Sequence, residues 1–176
     1  MSNPVLEAIS ERRSIRAYKP EPVTKEQVEL LIKAALEAPS ARNGQPWHFA
    51  VVQDASLLAE INEEALKNLK SSASDIFHGA TTAIFISCAP DTRWGRLDSG
   101  IAVENIHLAA HSLGLGSVVL GLPEAAFAKD KKEYFSKILK FPEGHAFAVA
   151  IAIGVPNGTK ESHPIGSGKV DYIVRE

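Results

Sequence analysis

A chain of 176 residues with 45% hydrophobic side chains is long enough for one domain with a sizeable core. Its 19 Lys and Arg nearly balance 21 Asp and Glu, leaving a net charge of −2, so nucleic acid is not an expected partner. No window approaches the roughly 20 apolar residues of a bilayer span, and Glu7 and Glu11 break any signal-peptide layout, so a cytoplasmic protein without membrane attachment is expected.

Helices and strands alternate along the chain. Asn3-Pro4 opens a helix that runs to about Glu11, with proline in its first turn. Thr24 followed by Gln27 reads as a capping box, and Val28, Leu31, Ile32, Ala35 and Leu36 recur at helical spacing until Pro39. Phe49 to Gln53 reads as a strand and Leu57 to Leu69 as a helix. Ala80 to Ala89 is a strand that Pro90 ends, and Cys88 within it reads as an inert core thiol. As the only cysteine, it excludes an internal disulfide or thiolate cluster.

Leu97 to Leu113 is apolar almost all round, which predicts a helix buried on every side. Ser117 to Leu120 and Ala146 to Val155 read as strands, with two short helices between Glu124 and Leu139. The stretch from Asn157 to Gly168 is rich in Gly, Ser and Pro, and Val170 to Val174 then has strand composition. A strand reached through so long a turn segment need not pair within its own subunit. No repeat or linker divides the chain, so residues 1–176 are taken as one domain.

Two stretches carry chemistry. Arg12, Arg13 and Arg16 surround Ser14 just after the first helix, and guanidinium forks suit a phosphate. Pro39-Ser40-Ala41-Arg42-Asn43-Gly44-Gln45 is a run of small and amide residues suited to the edge of a flat heterocycle. Together they describe a mononucleotide-type cofactor. The plainer alternatives are a solvated basic turn and an ordinary Asn-Gly loop. Trp47 and Phe49 alternate onto one side of a strand and read as core.

The order R-R-S-I-R-x-Y, then P-S-x-x-N-x-Q-P-W-H-F, then Asp98 to Ala102 with Glu104-Asn105, His107-Leu108-Ala109-Ala110 and Leu113-Gly114-Leu115-Gly116-Ser117, then Ala152 to Pro156, resembles the FMN-dependent nitroreductase and NAD(P)H oxidoreductase-like family. The resemblance implies an α+β fold. Its central, mostly antiparallel sheet would be flanked by helices, with a C-terminal strand exchanged between the subunits of a homodimer. It implies Arg12 on the FMN phosphate, Arg13 and Ser14 on phosphate and ribityl oxygens, and Arg16 beside the N1/C2 side of the ring. A fixed cation there favours the reduced flavin. Pro39, Ser40, Ala41, Asn43 and Gln45 would touch the flavin across the dimer, and Val119, Leu120 and Gly121 would lie near N5. Lys169 is a candidate second phosphate cation.

The activity implied is hydride transfer from NADH or NADPH to the flavin and on to a small acceptor, such as a nitroaromatic or quinone, in a ping-pong cycle. No catalytic side chain is expected, because the flavin makes and breaks the bonds. A flavin sensor or carrier and a reductive dehalogenase on the same fold are the alternatives. With little sequence for a helical excursion over the flavin, an open, unselective pocket is expected.

Three other patterns are set aside. Glu104, His107 and His111 share a helical face, but no fourth ligand is evident, so no metal is expected. Gly114 to Gly121 runs from helix to strand and lacks dinucleotide-fold spacing. Gly166-Ser167-Gly168-Lys169 lacks the rest of a P-loop. His48 and His78 flank expected strands, and the sequence does not place them relative to the pocket.

Overall fold

The structure is a computed structural model that describes residues 3–128, 131–162 and 166–175. Five α-helices and four strands are found among them: α1 (Pro4–Glu11), α2 (Lys25–Leu36), β1 (Trp47–Val52), α3 (Ala55–Leu69), β2 (Thr82–Cys88), α4 (Gly95–Ser112), β3 (Gly116–Leu120), α5 (Lys131–Ile138) and β4 (Ala146–Gly154). The helix starts follow local chemistry. The Asn3 side chain accepts from the N–H groups of Val5 and Leu6, and Thr24 and Gln27 form the full capping box. Asp54 caps α3 at Ser56 and Leu57, which starts that helix two residues before the periodic apolar pattern does. A 3₁₀ turn over Leu122–Phe127 and α5 are the two short helices expected between Glu124 and Leu139; residues 129–130 between them lie outside the described residues.

The strands form one fully antiparallel sheet in the order β1-β2-β4-β3. Both faces are covered, which is why β2 is apolar almost without a break and buried along its whole length. Alternation divides the two cores. Ala83, Phe85, Ala150 and Ala152 face α3, α5 and the 3₁₀ turn, together with Leu58, Ile61 and Phe135. Ile84, Ile86, Ile151 and Ile153 face α2 and α4, together with Leu31, Ala35, Ala102 and Ile106. Trp47 and Phe49 join this second core with ring centroids 6.1 Å apart, as their alternation predicts. Cys88 is buried, and that burial pushes its thiol pKa up.

α4 departs from expectation. Eight of its residues are buried, but Leu97, Gly100 and Glu104 are exposed, so one side of the helix is open in the single chain. The tail also differs. Ser167–Lys169 is a 3₁₀ turn, and residues 170–175 form no strand and are exposed, Tyr172 to 91%. A strand needs a neighbour to satisfy its N–H and C=O groups, and this segment pairs with none of the described residues. Residues 163–165 of the turn-rich stretch lie outside the described residues.

After α1 the chain crosses the end of the sheet. Ser14 pairs in parallel with Ser117, and Tyr18 makes an antiparallel bridge to Pro156. This crossing requires glycine beneath it: a Cβ on Gly154 would lie 2.9 Å from Cδ1 of Tyr18, and one on Gly116 would lie 3.0 Å from Ile15. Two strand glycines therefore set where the arginine cluster sits.

Candidate functional site

The crossing segment lies between two adjoining clefts. One, of about 510 Å³, is lined by Leu6, Ile9, Arg12, Arg13, Ser14 and Lys160 among others. The other, of about 320 Å³, is lined by Ser14 to Ala17 and by Asn157 to Lys160. Ser14 and Lys160 line both, so the clefts form a continuous run presenting Arg12, Ser14, Arg16 and Lys160. The return of the chain at Asn157 is tied down by its N–H, which donates to the carbonyl of Ala17 at 2.9 Å.

The three arginines differ in their partners. Arg12 is partly buried at the C-cap of α1; its Nη1 lies 3.0 Å from Nε2 of His107, and its Nε lies 3.3 Å from Oε1 of Glu104. That approach is close enough for an ion pair but is not aligned as a hydrogen bond, and Nε has no hydrogen-bond partner among the described residues. Arg13 turns its fork to the backbone. Its Nη1 donates to the carbonyls of Ser10 and Arg12, and its Nε donates to that of Glu161. This ties the end of α1 to the returning chain. Arg16 is exposed in the second cleft.

Lys169, the expected second cation, is exposed in its own turn and lines neither cleft, whereas Lys160 lines both. Its signal in the sequence is the tight Pro156-Asn157-Gly158 return, which brings the chain back alongside residues 14–17. Val119 is exposed on β3, Leu120 is buried, and Gly121 is exposed with open space where a side chain would stand.

Pro39 to Gln45 lies apart: its residues line neither cleft of the arginine cluster. Pro39 is exposed, Ser40 half-buried, and residues 41–45 exposed. Arg42, Asn43 and Gln45 all have left-handed backbone, at φ 55°, 54° and 44°. For residues other than glycine this is strained, and such strain persists where surrounding contacts hold it. Here Oγ of Ser40 accepts from the N–H of Gln45 at 3.0 Å, and Oδ1 of Asn43 accepts from Nε2 of Gln45. Both oxygens of Asp98, a buried carboxylate on α4, lie 3.3 Å from the N–H of Ala41. Asp98 falls in the third motif, yet the sequence alone gave it no role.

The remaining candidates find local partners. Glu104 pairs with Arg12, and Glu11 lies 3.7 Å from His111. His107 contacts Arg12 and Ser117, and the described residues hold no metal-binding cluster. His48 lines a groove along β1. Burial foremost, then the nearby His145, holds its pKa below the ordinary histidine value. His78 lies in the loop before β2, also with left-handed backbone.

Fold and site together define an α+β domain with a cationic, hydroxyl-bearing run of clefts at one end of its sheet. Residues 9–155 match the model of the nitroreductase family, and the chain belongs to that family. It is 34% identical over 163 residues to an Archaeoglobus fulgidus protein provisionally named NADH dehydrogenase/NAD(P)H nitroreductase, covering 89% of this chain and 87% of the relative. It superposes on a nitroreductase with bound FMN from Desulfitobacterium hafniense with a TM-score of 0.92 at 34% identity, covering 99% of this chain and 100% of the other. It is also 24% identical over 180 residues to the iodotyrosine deiodinase of Thermotoga neapolitana, covering 92% and 93% of the two chains. The nitroreductase fold expected from the motifs is thus the fold found. No helix among the described residues is long and apolar enough to cross a membrane.

Proposed function

We propose that this protein is an FMN-dependent oxidoreductase that takes reducing equivalents from NADH or NADPH and delivers them to a small conjugated acceptor. The observation that carries this reading is the convergence of Arg12, Ser14, Arg16 and Lys160 on two adjoining clefts. Three fixed or flexible cations and a hydroxyl fit a phosphate with a polyol chain behind it. Guanidinium donors make charge-assisted bonds to phosphate oxygens, each worth about 1.5–3 kcal/mol. When bound, FMN supplies the hydride-transfer chemistry, so the side chains bind and orient rather than exchange protons.

Arg12 holds the phosphate end and Arg13 keeps the end of α1 in place behind it. Arg16 supplies positive charge toward the ring, and Val119, Leu120 and Gly121 form the edge against which the ring lies. Val119, Gly121 and Arg16 are all exposed, which supports an open face and an acceptor chosen by size and planarity, such as a quinone or nitroaromatic.

The reading includes a homodimer. Pro39 to Gln45 is shaped and strained but exposed, and it lines neither cleft of its own chain, as expected of a loop completing the partner's site. Leu97 and Trp94 at the start of α4, and Val5, Leu6 and Ile9 on α1, are exposed apolar side chains suited to burial between subunits. β1 is an edge strand with a groove of about 350 Å³ along it, and the exposed Val170 to Val174 has the composition to fill it from the partner. A cytoplasmic setting, where NAD(P)H is available, goes with this reading.

The likeness to the deiodinase supports reductive dehalogenation as a second reading on the same site. Oxidation of NADH or NADPH by the FMN-loaded protein, followed with a quinone, a nitroaromatic or a halotyrosine as acceptor, separates the two. Turnover with the first two supports the proposal, and halide release with only the third replaces it. No turnover with any acceptor returns the protein to a flavin carrier or sensor.

A further inference from the structure

Behind Arg12 stands a buried ionisable group to which the binding reading assigns no task. His107 lies on α4 with 2% of its surface exposed. Its Nε2 is 3.0 Å from Nη1 of Arg12, and its Nδ1 is 2.5 Å from Oγ of Ser117. A guanidinium has donors only, so Nε2 must accept. An imidazole that accepts at Nε2 carries its proton on Nδ1, and that N–H donates to the Ser117 hydroxyl. The neighbours therefore select one neutral tautomer.

Ser117 serves the same end of the site a second time. Its carbonyl accepts from the N–H of Ile15 at 3.0 Å, and its backbone pairs with Ser14. One residue of β3 thus anchors both the imidazole behind Arg12 and the strand segment carrying Ser14. The charged and titratable groups around the imidazole are Arg12 and Glu11 from the end of α1, and Glu104 and His111 from its own helix. β3 contributes only the uncharged serine.

We propose that His107 is a positioning residue for phosphate binding: as a neutral acceptor registered on Ser117, it fixes the Arg12 guanidinium in the orientation that the phosphate end of FMN requires. This rests on the FMN reading above. A neutral acceptor suits the task better than a buried carboxylate, which would satisfy the guanidinium's charge and compete with the phosphate. An apolar residue there would leave Arg12 without its Nη1 partner and free to rotate. Glu104 does not substitute, because its half-exposed carboxylate meets Nε without hydrogen-bond alignment.

The test measures the affinities of the apoprotein for FMN and for riboflavin, which lacks the phosphate, by quenching of flavin fluorescence. Wild type is compared with His107→Leu, His107→Gln, Arg12→Ala and the double variant Arg12→Ala/His107→Leu. In His107→Leu, FMN binding weakens roughly tenfold, about one charge-assisted bond's worth of orientation, while riboflavin affinity stays the same. His107→Gln recovers most of the loss, because its amide can accept from Arg12 and donate to Ser117. The double variant binds FMN no more weakly than Arg12→Ala alone. Should His107→Leu not fold, Ser117→Ala, which removes the partner that orients the imidazole, carries the same FMN-against-riboflavin comparison.

A wild type that binds neither flavin overturns the FMN reading itself. A wild type that prefers FMN, with the preference intact in a folded His107→Leu or Ser117→Ala, overturns only the role of His107. Equal losses for both flavins likewise overturn it, since they assign His107 to packing alone.

Discussion

Asp98 holds the backbone of Ala41: both oxygens of its buried carboxylate lie 3.3 Å from that N–H, linking α4 to the strained loop 57 residues earlier in the chain. The loop's left-handed residues, Arg42, Asn43 and Gln45, follow directly from this anchored point. Without the carboxylate, nothing else described on α4 bonds to this loop, and the strain favours its opening.

Asp98→Ala is therefore expected to lower stability by about 1–3 kcal/mol, the cost of losing a hydrogen bond to a charged buried acceptor. Asp98→Asn, which keeps an accepting oxygen, should lose less. Urea unfolding of both variants checks this, and hydrogen exchange at Ala41 should speed up in the alanine variant. An unchanged exchange rate there would mean that the loop holds its shape without Asp98.

Burial foremost, then the positive charge of Arg12 and the neighbouring His111, hold the His107 pKa at about 4, against an ordinary 6.5. The unfolded chain thus takes up this proton at higher pH than the folded protein does. Stability is complete above pH 6.5 and is lost as pH falls toward about 4. The loss from this one group is on the order of 3 kcal/mol at most. Chemical denaturation of the apoprotein across that range should show a steeper fall for wild type than for His107→Gln. Parallel curves would show that His107 does not titrate in this way.

Arg12→Ala should weaken FMN binding at least tenfold, by the loss of one charge-assisted contact of about 1.5–3 kcal/mol, and should leave a folded protein. Lys160→Ala should weaken it less, because an exposed, flexible ammonium orders at an entropic cost. Fluorescence titration of FMN measures both. If Arg12→Ala binds FMN as wild type does, the phosphate lies elsewhere.

What the sequence disclosed and what it concealed follow a physical division. Signals confined to a few neighbouring residues were legible: the Thr24–Gln27 box, the proline at the start of α1, and the period-2 alternation that places Trp47 and Phe49 on one face. The four motifs in family order carried the fold. Side-chain destinations set by tertiary contact were not legible. Arg13 reads like Arg12 in sequence, yet its fork caps α1. Lys169 alone read as a second cation, and only the bond between Asn157 and Ala17 brings Lys160 beside Ser14. His107 looked like one third of a metal set, but its task depends on Arg12 and Ser117, which lie 95 and 10 residues away. The open side of α4 escaped the composition because Leu97 is as apolar as its buried neighbours.

If the tail fills the partner's β1 groove as proposed, removing residues from Val170 onward should weaken the dimer, because it takes away the exposed segment that would pair with that edge. Sedimentation at decreasing protein concentration should show dissociation of the truncated protein where the full chain remains dimeric. Identical dimer stability would exclude an exchanged tail.

The most direct test of the FMN oxidoreductase assignment is the visible absorbance of the FMN-loaded protein, recorded anaerobically before and after NADH, then NADPH, and then a quinone or nitroaromatic. Flavin bands that bleach with one or both donors and return with the acceptor are expected. Flavin bands that neither donor bleaches would contradict the assignment.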